Sequence, residues 1–480
     1  MTSIEQAYCP ERFRRQGHSV VDMLADNLHQ TISGQQDDVV EMIDPDTAMQ
    51  EIETLFERLA NSKGEGIEQL FAGVYQRTIR LHHPRYLGHQ ISPPLPAAAL
   101  ASLLSDLLNN GMGVYEMGIA GTAIERFVIK SLSRKFQFGD QADGFFTSGG
   151  TLGNLTALLA ARRAKAQDDV WTDGTKKRLA LMVSEQAHYC IDKAVRAMGW
   201  GSDGIILIPT RDDYSMDTCA LETRLASANR QGLEVVAIVA SACSTATGSF
   251  DDLEEIATFC QKHDLWFHVD GAHGAATVYS DEFRYRVNGI GLADSVTMDF
   301  HKLLMTPALA TAVVFKDGRY GAQNFAQKAD YLWSDSNPED QWHDLARRTF
   351  ECTKSMVALK VFTILALYGE SIFQENVTTL YRSAMSFAEL INDQPDFELA
   401  TLPQSNIVCF RIVPPGTNKD LDKLNLAVRA KLIADGKFYI VQTTLDGKSW
   451  LRCTVANPFT TGNQFHQLLG SIRQIAKSVA

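Results

Sequence analysis

Short apolar runs alternate with amphipathic stretches through the middle of the chain. Each run is four to six residues long and ends at polar or glycine-containing positions, which is typical of buried β-strands. Strands separated by helices predict a mainly parallel, doubly wound α/β sheet. The predicted strands are 179–183, 205–208, 235–240, 265–269, 295–298 and 310–315, and the predicted helices between them are 191–198, 218–228 and 253–263.

The periodicity changes at both ends of the chain. Amphipathic helices are predicted at 12–30 and 48–59, and a smaller α+β domain is predicted after the sheet. We therefore predict a helical segment at 1–95, a large α/β domain at 96–347 and a small C-terminal domain at 348–480. Outside the predicted sheet, helices are predicted at 119–136, 152–165, 347–368, 421–434 and 464–476, and strands at 407–412 and 439–441. An irregular loop is predicted at 82–94 and a long mobile loop at 317–345.

The overall composition is that of an ordinary globular protein, with 45% hydrophobic and 21% charged residues. The net charge of −12 at pH 7 disfavours a nucleic-acid or anionic-membrane partner. The eight cysteines are scattered without metal-ligand spacing, so we expect no metal site and a reducing cytoplasmic environment. The N-terminus has no basic region followed by an apolar core, and no apolar run reaches the ~20 residues that span a bilayer. A cytoplasmic protein is therefore expected.

Two predicted strands place candidate catalytic groups at their ends. Asp270 follows strand 265–269, and the neighbours His301 and Lys302 follow strand 295–298. Ligands of open α/β sheets bind at the carboxyl ends of parallel strands. A partly buried lysine is expected to have a lowered pKa and to form a Schiff base, and a carboxylate keeps a pyridine nitrogen protonated. The pair indicates a pyridoxal phosphate site, although each residue alone is more often a solvated or helix-capping side chain.

A glycine-rich turn lies between a short predicted strand and the following helix. Its sequence is Gly144-Phe-Phe-Thr-Ser-Gly-Gly-Thr-Leu-Gly-Asn-Leu155. Backbone N–H groups at a helix N-terminus, with the hydroxyls of Ser148 and Thr151, can hold a phosphate, although such a turn can also be a plain connection. Polar residues also follow two other strands, at 184–189 and 241–252. The polar strand ends together favour a ligand site at one edge of the sheet.

These segments occur in an order that resembles the group II pyridoxal-phosphate-dependent amino-acid decarboxylases. The resemblance runs from about His83 to Pro458. The family includes glutamate, cysteine-sulfinate, 2,4-diaminobutyrate and aromatic amino-acid decarboxylases. The resemblance implies a fold-type I homodimer that binds pyridoxal 5′-phosphate and acts as a carboxy-lyase on a small L-amino acid, within amino-acid and carboxylic-acid metabolism.

The resemblance also implies roles for individual residues. Lys302 would hold the cofactor covalently, and Asp270 would pair with the ring nitrogen. His188 would stack on the ring and contact the carboxylate side of the substrate. The other implied cofactor contacts are Thr147, Ser148, Gly150, Thr151, Thr245, Ala272 and His301.

Two motifs depart from the family pattern. Thr245 lies in Cys243-Ser-Thr245, where the family has Gly-Thr-Thr. His273 and Ala275 replace an aromatic residue and a glycine. We therefore expect an altered backbone near Thr245 and a different pocket shape beside the ring.

Three further residues are implied to act on the substrate. Arg452, in a segment similar to the family's Leu-Arg-x-x-x-x-Asn-Pro, would meet the substrate carboxylate. His89 lies where acidic-substrate relatives have an amide, and it could meet an acidic group, a hydroxyl or an aromatic edge. Tyr331 lies twenty-nine residues after Lys302 and matches a tyrosine that protonates the α-carbon after carbon dioxide has left, although it could instead pack a loop. The substrate stays open between acidic, diamino and aromatic amino acids.

Two other functions stay open on the residues alone. The same cofactor supports transamination and aldol-type cleavage, because the site and not the fold decides which bond breaks. A non-catalytic paralogue that assembles with a related subunit is the second alternative. The joint presence of Lys302, Asp270 and His188 argues against it.

Overall fold

The computed structural model describes residues 2–323, 325, 342–416 and 420–479. Within these residues the chain forms two β-sheets flanked by helices. The helices are α1 (Ser3–Ala7), α2 (Pro10–Ile32), α3 (Pro45–Leu59), α4 (Ile67–Gln76), α5 (Pro96–Leu108), α6 (Ile119–Lys135), α7 (Gly150–Lys165), α8 (Val170–Asp173), α9 (Tyr189–Ala197), α10 (Leu221–Arg230), α11 (Leu253–His263), α12 (Phe300–Leu303), α13 (Gly318–Gln323), α14 (Ala358–Tyr368), α15 (Ser371–Asn392), α16 (Leu421–Asp435) and α17 (Gly462–Ser478). The strands are β1 (Tyr86–Leu87), β2 (Asp143–Thr147), β3 (Arg178–Ser184), β4 (Ile205–Ile208), β5 (Leu233–Ser241), β6 (Trp266–Asp270), β7 (Ser295–Asp299), β8 (Thr311–Phe315), β9 (Phe397–Leu399), β10 (Ile407–Ile412), β11 (Tyr439–Leu445) and β12 (Lys448–Thr454).

The chain forms two compact units. The first unit contains Met1–His89, Ser386–Ala400 and Cys409–Ala480, and the second contains Gln90–Met385 and Thr401–Val408. The three segments predicted from the sequence have other bounds, at 95 and 347, and that division stays a prediction.

The second unit is built on a seven-stranded sheet in the order β2-β8-β7-β6-β5-β3-β4. Strands β4, β3, β5, β6 and β7 form a run of adjacent parallel strands. Strand β8 is antiparallel to both of its neighbours, β2 and β7. The mainly parallel, doubly wound sheet predicted from the sequence is therefore confirmed. Each of its six predicted strands is present, with ends within two residues of the predicted ones.

Both faces of this sheet are covered by helices. Successive residues of a strand point to opposite faces, so a strand buried on both sides is apolar at consecutive positions. Met182 and Phe267 lie in the core shared with α6 and α11. Leu181 and Trp266, their neighbours in sequence, lie in the core shared with α7 and α9. The continuous apolar runs of the sequence follow from this two-sided burial.

The first unit combines the N-terminal helices with the end of the chain. Its five-stranded sheet has the order β1-β11-β12-β10-β9, in which β1 is parallel to β11 and β11 is antiparallel to β12. The Val39 N–H donates to the carbonyl oxygen of Gly436 at 2.8 Å, and the Asn457 side-chain amide donates to that of His83 at 3.0 Å. Backbone groups of the N-terminal segment are thus paired with the C-terminal residues of the same unit.

Several predicted elements were wrong in extent. The predicted helix 347–368 begins only at Ala358, because the preceding residues use tertiary contacts: Arg348 pairs with Asp143 at 2.8 Å, and Lys354 pairs with Glu125 at 2.6 Å. The predicted helix 218–228 starts as a 3-10 turn that leads into α10. Helices α4, α5, α8 and α15 and strands β1, β9 and β12 were not predicted from the sequence.

The loop predicted at 317–345 is helical at its start, where α13 lies. Residues 324 and 326–341 of that prediction lie outside the described part of the chain. None of the helices in the described residues has the length and apolar character needed to cross a membrane.

Candidate active site

Four strands of the second unit end in polar residues at one edge of the sheet. Ser184, Ser241, Asp270 and Asp299 are the last residues of β3, β5, β6 and β7. The register places Ser241 beside Asp270. The ends of β5, β6 and β7, together with the start of α7 and residues at the start of α9, form one pocket. It is lined by Gly150, Thr151, Asn154, His188, Cys190, Ser241, Cys243, Ser244, Thr245, Asp270, Ala272, His273, Asp299 and Lys302.

Lys302 lies on α12, the single helical turn that follows β7. Its ammonium nitrogen lies 3.2 Å from Oδ2 of Asp299, and its side chain is 22% exposed. Desolvation opposes the charged form, but the carboxylates of Asp299 and Asp270 outweigh it and raise the pKa of Lys302 above its ordinary value. The sequence-based expectation of a lowered pKa was therefore wrong, because it included burial and left out Asp299. In the protein without cofactor, Lys302 is an ammonium group.

Asp299, next to Lys302, was not predicted from the sequence as a site residue. Its side chain is almost completely buried, and Oδ1 accepts a hydrogen bond from the Thr311 hydroxyl at 2.5 Å. Its backbone N–H donates to the carbonyl oxygen of Ala272 at 3.1 Å. A second strand-end carboxylate three residues before Lys302 was a readable signal, because residues three apart on a helical turn face each other. Asp299 orients the Lys302 amine towards the pocket.

Asp270 ends the neighbouring strand in a tightly packed corner. Its Oδ1 accepts a hydrogen bond from the Ala272 N–H at 3.2 Å. The backbone then passes so close to Ala242 that a side chain at Gly274 would lie 2.8 Å from the Ala242 carbonyl oxygen. This close approach fixes the turn after β6, so that Asp270 and Ala272 both line the pocket.

The start of α7 has the form expected of a phosphate cradle. Gly149 precedes the helix with a φ of 126°, and no side chain caps the first N–H groups. A side chain at Gly150 would lie 3.3 Å from the Asp299 carboxylate, so glycine keeps this side of the pocket open. Gly150 and Thr151 line the pocket. Thr147, the last residue of β2, and Ser148, in the turn after it, are not among the lining residues. The Thr147 hydroxyl donates to the carbonyl oxygen of Gly149 at 3.2 Å.

His188 directly precedes α9 and lines the same pocket. Its Nδ1 accepts a hydrogen bond from the Cys190 N–H at 3.3 Å, so the ring caps the helix. Desolvation lowers the pKa of His188, although the Asp270 carboxylate partly opposes this. The ring is therefore neutral at physiological pH.

His301 is buried beside Lys302 but is not among the pocket-lining residues. Its Nδ1 accepts a hydrogen bond from the Ala310 N–H at 3.2 Å, and its Nε2 lies 3.6 Å from Oδ2 of Asp299. Desolvation lowers its pKa, with Asp299 opposing. The predicted cofactor contact of His301 stays a prediction.

The two departures from the family pattern both lie in the pocket wall. The wall includes Cys243 and Ser244, which differ from the family's Gly-Thr before Thr245, and His273. His273 is buried, with Nε2 at 2.7 Å from Oδ1 of Asn406. Asn406 lies in the short stretch of chain at 401–408 that belongs to the second unit. A histidine at position 273 is thus held by a hydrogen bond that an aromatic hydrocarbon ring could not make.

His89 and Arg452, the predicted substrate contacts, belong to the first unit. The His89 ring lies 5.9 Å from the ring of Tyr439, and desolvation together with the charges of Arg452 and Arg429 lowers its pKa. Arg452 is buried on β12. Their predicted roles, like that of Tyr331, which lies outside the described residues, stay predictions.

The donors of the pocket fit pyridoxal phosphate. An amine at Lys302 can bind an aldehyde, a carboxylate at Asp270 can pair with a ring nitrogen, and the uncapped start of α7 can accept a phosphate. Lys302, Asp270, His188, Gly150 and Thr151 are brought together as predicted, along with Ala272 and Thr245.

Comparisons with known proteins point to the same chemistry. The pyridoxal-dependent decarboxylase conserved domain matches residues 68–413. The L-2,4-diaminobutyrate decarboxylase of Acinetobacter baumannii is 29% identical over 439 residues, which cover 87% of this chain and 86% of that protein. The aspartate 1-decarboxylase of Aliivibrio fischeri is 30% identical over 463 residues, which cover 86% and 83%. The glutamate decarboxylase domain of diaminobutyrate-pyruvate transaminase and L-2,4-diaminobutyrate decarboxylase from Vibrio parahaemolyticus has a structure with a TM-score of 0.82 and 28% identity, covering 94% of both chains.

The alternatives of transamination, aldol-type cleavage and a non-catalytic paralogue receive no support from these matches. The family match covers well over half of the chain and includes the strand ends, the start of α7 and Lys302. The chain therefore belongs to the pyridoxal-dependent decarboxylase family, and it removes the carboxyl group of an amino acid with the aid of pyridoxal phosphate.

Proposed function

We propose that Lys302 holds the cofactor, that Asp270 pairs with its ring nitrogen, and that the start of α7 binds its phosphate. The observation that carries this proposal is the Lys302 ammonium group, which lies 3.2 Å from Asp299 in a pocket shared with Asp270 and the uncapped helix. When bound, pyridoxal phosphate supplies an electron sink for the bond that breaks. The chain would hold the ring between the neutral His188 and Ala272, and it would place the Asp270 carboxylate at the ring nitrogen.

Reduction with borohydride followed by peptide mapping tests the attachment. The expected label lies on Lys302, and Lys302→Ala should lose both the label and the visible absorbance of the holoenzyme. Lys316→Ala is the matched control, because Lys316 also follows a strand of the same sheet but is exposed and does not line the pocket. A label on any lysine other than Lys302 would overturn the proposal.

We further propose that the substrate is a four-carbon L-amino acid with a polar end group. This rests on two relatives, an L-2,4-diaminobutyrate decarboxylase and an aspartate 1-decarboxylase. The test is to incubate the holoenzyme with single amino acids, including aromatic ones, glutamate and cysteine sulfinate, and to measure the amines. The expected product is 1,3-diaminopropane or β-alanine. A preference for aromatic or longer substrates would contradict the proposal.

We propose a homodimer in the cytoplasm. Helix α5 exposes a row of leucines, each about half accessible to solvent, and such an apolar patch is typical of a protein interface. These are Leu100, Leu103, Leu104, Leu107 and Leu108. All eight cysteines lie in the described residues and none of them forms a disulfide, which supports a reducing compartment.

Sedimentation tests the dimer. The parent should sediment as a dimer, and Leu103→Glu with Leu107→Glu should shift it towards monomer. Leu207→Glu, on the edge strand β4, is a control of similar exposure that should leave the dimer intact. An active parent that sediments as a monomer would rule out the proposal.

A further inference from the structure

A chain of hydrogen-bonded side chains runs through the core behind Asp270 and ends in the pocket. Trp266 Nε1 lies 2.9 Å from the Ser295 hydroxyl, which lies 2.8 Å from Nδ1 of His268. Nε2 of His268 lies 3.0 Å from Oδ1 of Asn154, whose amide nitrogen lies 3.3 Å from the sulfur of Cys190. None of these roles was predicted from the sequence.

The direction of this chain is set at Asn154. The Asn154 Oδ1 can only accept, so the proton of the neutral His268 ring is on Nε2, which donates to it at 3.0 Å. Nδ1 is then an acceptor. It lies 2.8 Å from the Ser295 hydroxyl, which donates to it while accepting from the Trp266 indole, and 3.2 Å from the Ser295 carbonyl oxygen. The Asn154 amide nitrogen is left to face Cys190 and the pocket. Burial keeps His268 neutral, because it lowers the pKa of this ring to about 4.

Asn154 has one donor more than the chain uses. Its amide nitrogen carries two hydrogens, and one of them is directed to Cys190. The residue is almost completely buried, yet it lines the pocket that also holds Asp270 and Lys302. No further acceptor for this nitrogen lies within hydrogen-bond distance among the described residues. A buried donor without an acceptor is costly, so an oxygen supplied by a ligand would stabilise it.

We propose that Asn154 is a cofactor-binding residue that donates its second amide hydrogen to an oxygen of pyridoxal phosphate, and that His268 is a positioning residue that holds the amide in this orientation. His268 is suited to the task because it lies two positions before Asp270 and thus on the same face of β6. Strand β6 therefore carries both the Asp270 carboxylate and the His268 ring that orients the Asn154 amide. The proposal rests on the pocket being the cofactor site.

The plainer role for Asn154 is a structural tie between α7 and the sheet. Such a tie would stabilise the protein with or without the cofactor, whereas a ligand contact affects cofactor binding specifically. The two are separated by titrating the apoenzyme with pyridoxal phosphate while following its visible absorbance, and by measuring the melting temperature of the apoenzyme. For Asn154→Ala we expect about tenfold weaker cofactor binding, which is the loss of one hydrogen bond.

A second buried asparagine provides the control. Asn425 lies in the first unit, where its side chain bonds the backbone of Ile412 and Leu421. Asn425→Ala should lower the melting temperature of the apoenzyme and leave cofactor affinity unchanged. Unchanged affinity in Asn154→Ala would overturn the proposal.

Two substitutions of His268 test the positioning role even where Asn154→Ala folds poorly. Glutamine can place an N–H near the position of Nε2 and so keep the bond to Asn154, while asparagine is too short and reaches only towards Ser295. His268→Gln should bind pyridoxal phosphate within about twofold of the parent. His268→Asn should bind pyridoxal phosphate about tenfold more weakly than the parent, as expected for Asn154→Ala. Equal effects of the two substitutions would refute the positioning role.

Borohydride labelling of Asn154→Ala separates this inference from the proposed function. A label that maps away from Lys302 in both parent and variant would refute the cofactor pocket itself. A label on Lys302 in both, combined with unchanged affinity, would refute only the role of Asn154.

Discussion

Replacement of Lys354 by methionine removes one half of a buried ion pair that lies behind the phosphate cradle. The Lys354 ammonium lies 2.6 Å from Oε1 of Glu125, and the two side chains are 6% and 2% exposed. The same ammonium donates to the carbonyl oxygen of Phe146 at 2.6 Å, and Glu125 accepts from the N–H of Phe146 at 3.0 Å. Phe146 directly precedes Thr147, the last residue of β2. The pair therefore holds the strand from which the cradle begins.

The expected loss of stability comes from the Glu125 carboxylate, which loses its partner. Without Lys354, the Glu125 carboxylate stays buried with no counter-charge, and removal of one partner of a buried pair costs about 3–5 kcal/mol. At about 2–4 °C per kcal/mol for a domain of this order of size, the melting temperature should fall by roughly 6 °C or more. The double substitution Lys354→Met with Glu125→Gln should recover a large part of this, because it removes the stranded charge.

Urea unfolding of the apoenzyme, followed by circular dichroism, measures these differences. Lys262→Met is the control, because Lys262 pairs with Glu222 while both are more than half exposed, and such surface pairs contribute about 0–1 kcal/mol. Lys354→Met should also weaken cofactor binding, and Lys262→Met should not. If Lys354→Met lowers the free energy of unfolding by less than about 1 kcal/mol, or if the double variant is as unstable as the single one, the reasoning is refuted.

Three further expectations follow. His268 has a pKa of about 4 in the folded state, so below pH ~6.5 the unfolded chain binds a proton that the folded protein does not. The free energy of unfolding should therefore fall by about 3 kcal/mol as the pH falls from 6.5 to 4. Urea titrations of His268→Gln should lack this pH-dependent loss. Asp299→Asn removes a charge that raises the pKa of Lys302, so stopped-flow uptake of pyridoxal phosphate should reach its maximum rate at a lower pH; an unchanged pH profile would contradict the role of Asp299. From the family resemblance, Tyr331→Phe should keep cofactor binding but make less amine and more aldehyde, measured together with carbon dioxide, and unchanged amine yield would return Tyr331 to a packing role.

The strand-end pattern predicted which residues meet, because it depends on topology alone. In a parallel sheet every strand delivers its last residues to the same edge, so Asp270 and Lys302 were expected in one pocket before any distance was known. The charge of Lys302 could not be predicted in this way. It depends on the distance to Asp299, which is set by the single turn of α12 and not by the order of the strands.

Helix ends were misjudged where tertiary contacts compete with local preference. The sequence after Arg347 has helical spacing, yet Arg348 and Lys354 reach Asp143 and Glu125 on β2 and α6. The Met112 N–H also donates to the carbonyl oxygen of Lys354 at 3.0 Å, which replaces a bond within a helix. Propensity is a weak prior against several such partners, and partners far apart in sequence leave no periodic signal.

His188 shows why structural and functional interpretations of a residue need not exclude each other. By itself, a histidine at the start of a helix is most simply a cap, and the ring does cap α9 through the Cys190 N–H at 3.3 Å. Because Nδ1 accepts that bond, the proton of the neutral ring must be on Nε2. Desolvation keeps the ring neutral although Asp270 favours its charged form. The capping bond thus selects both the tautomer and the plane of the ring that faces the pocket, and these are the two properties that the proposed stacking on the cofactor requires.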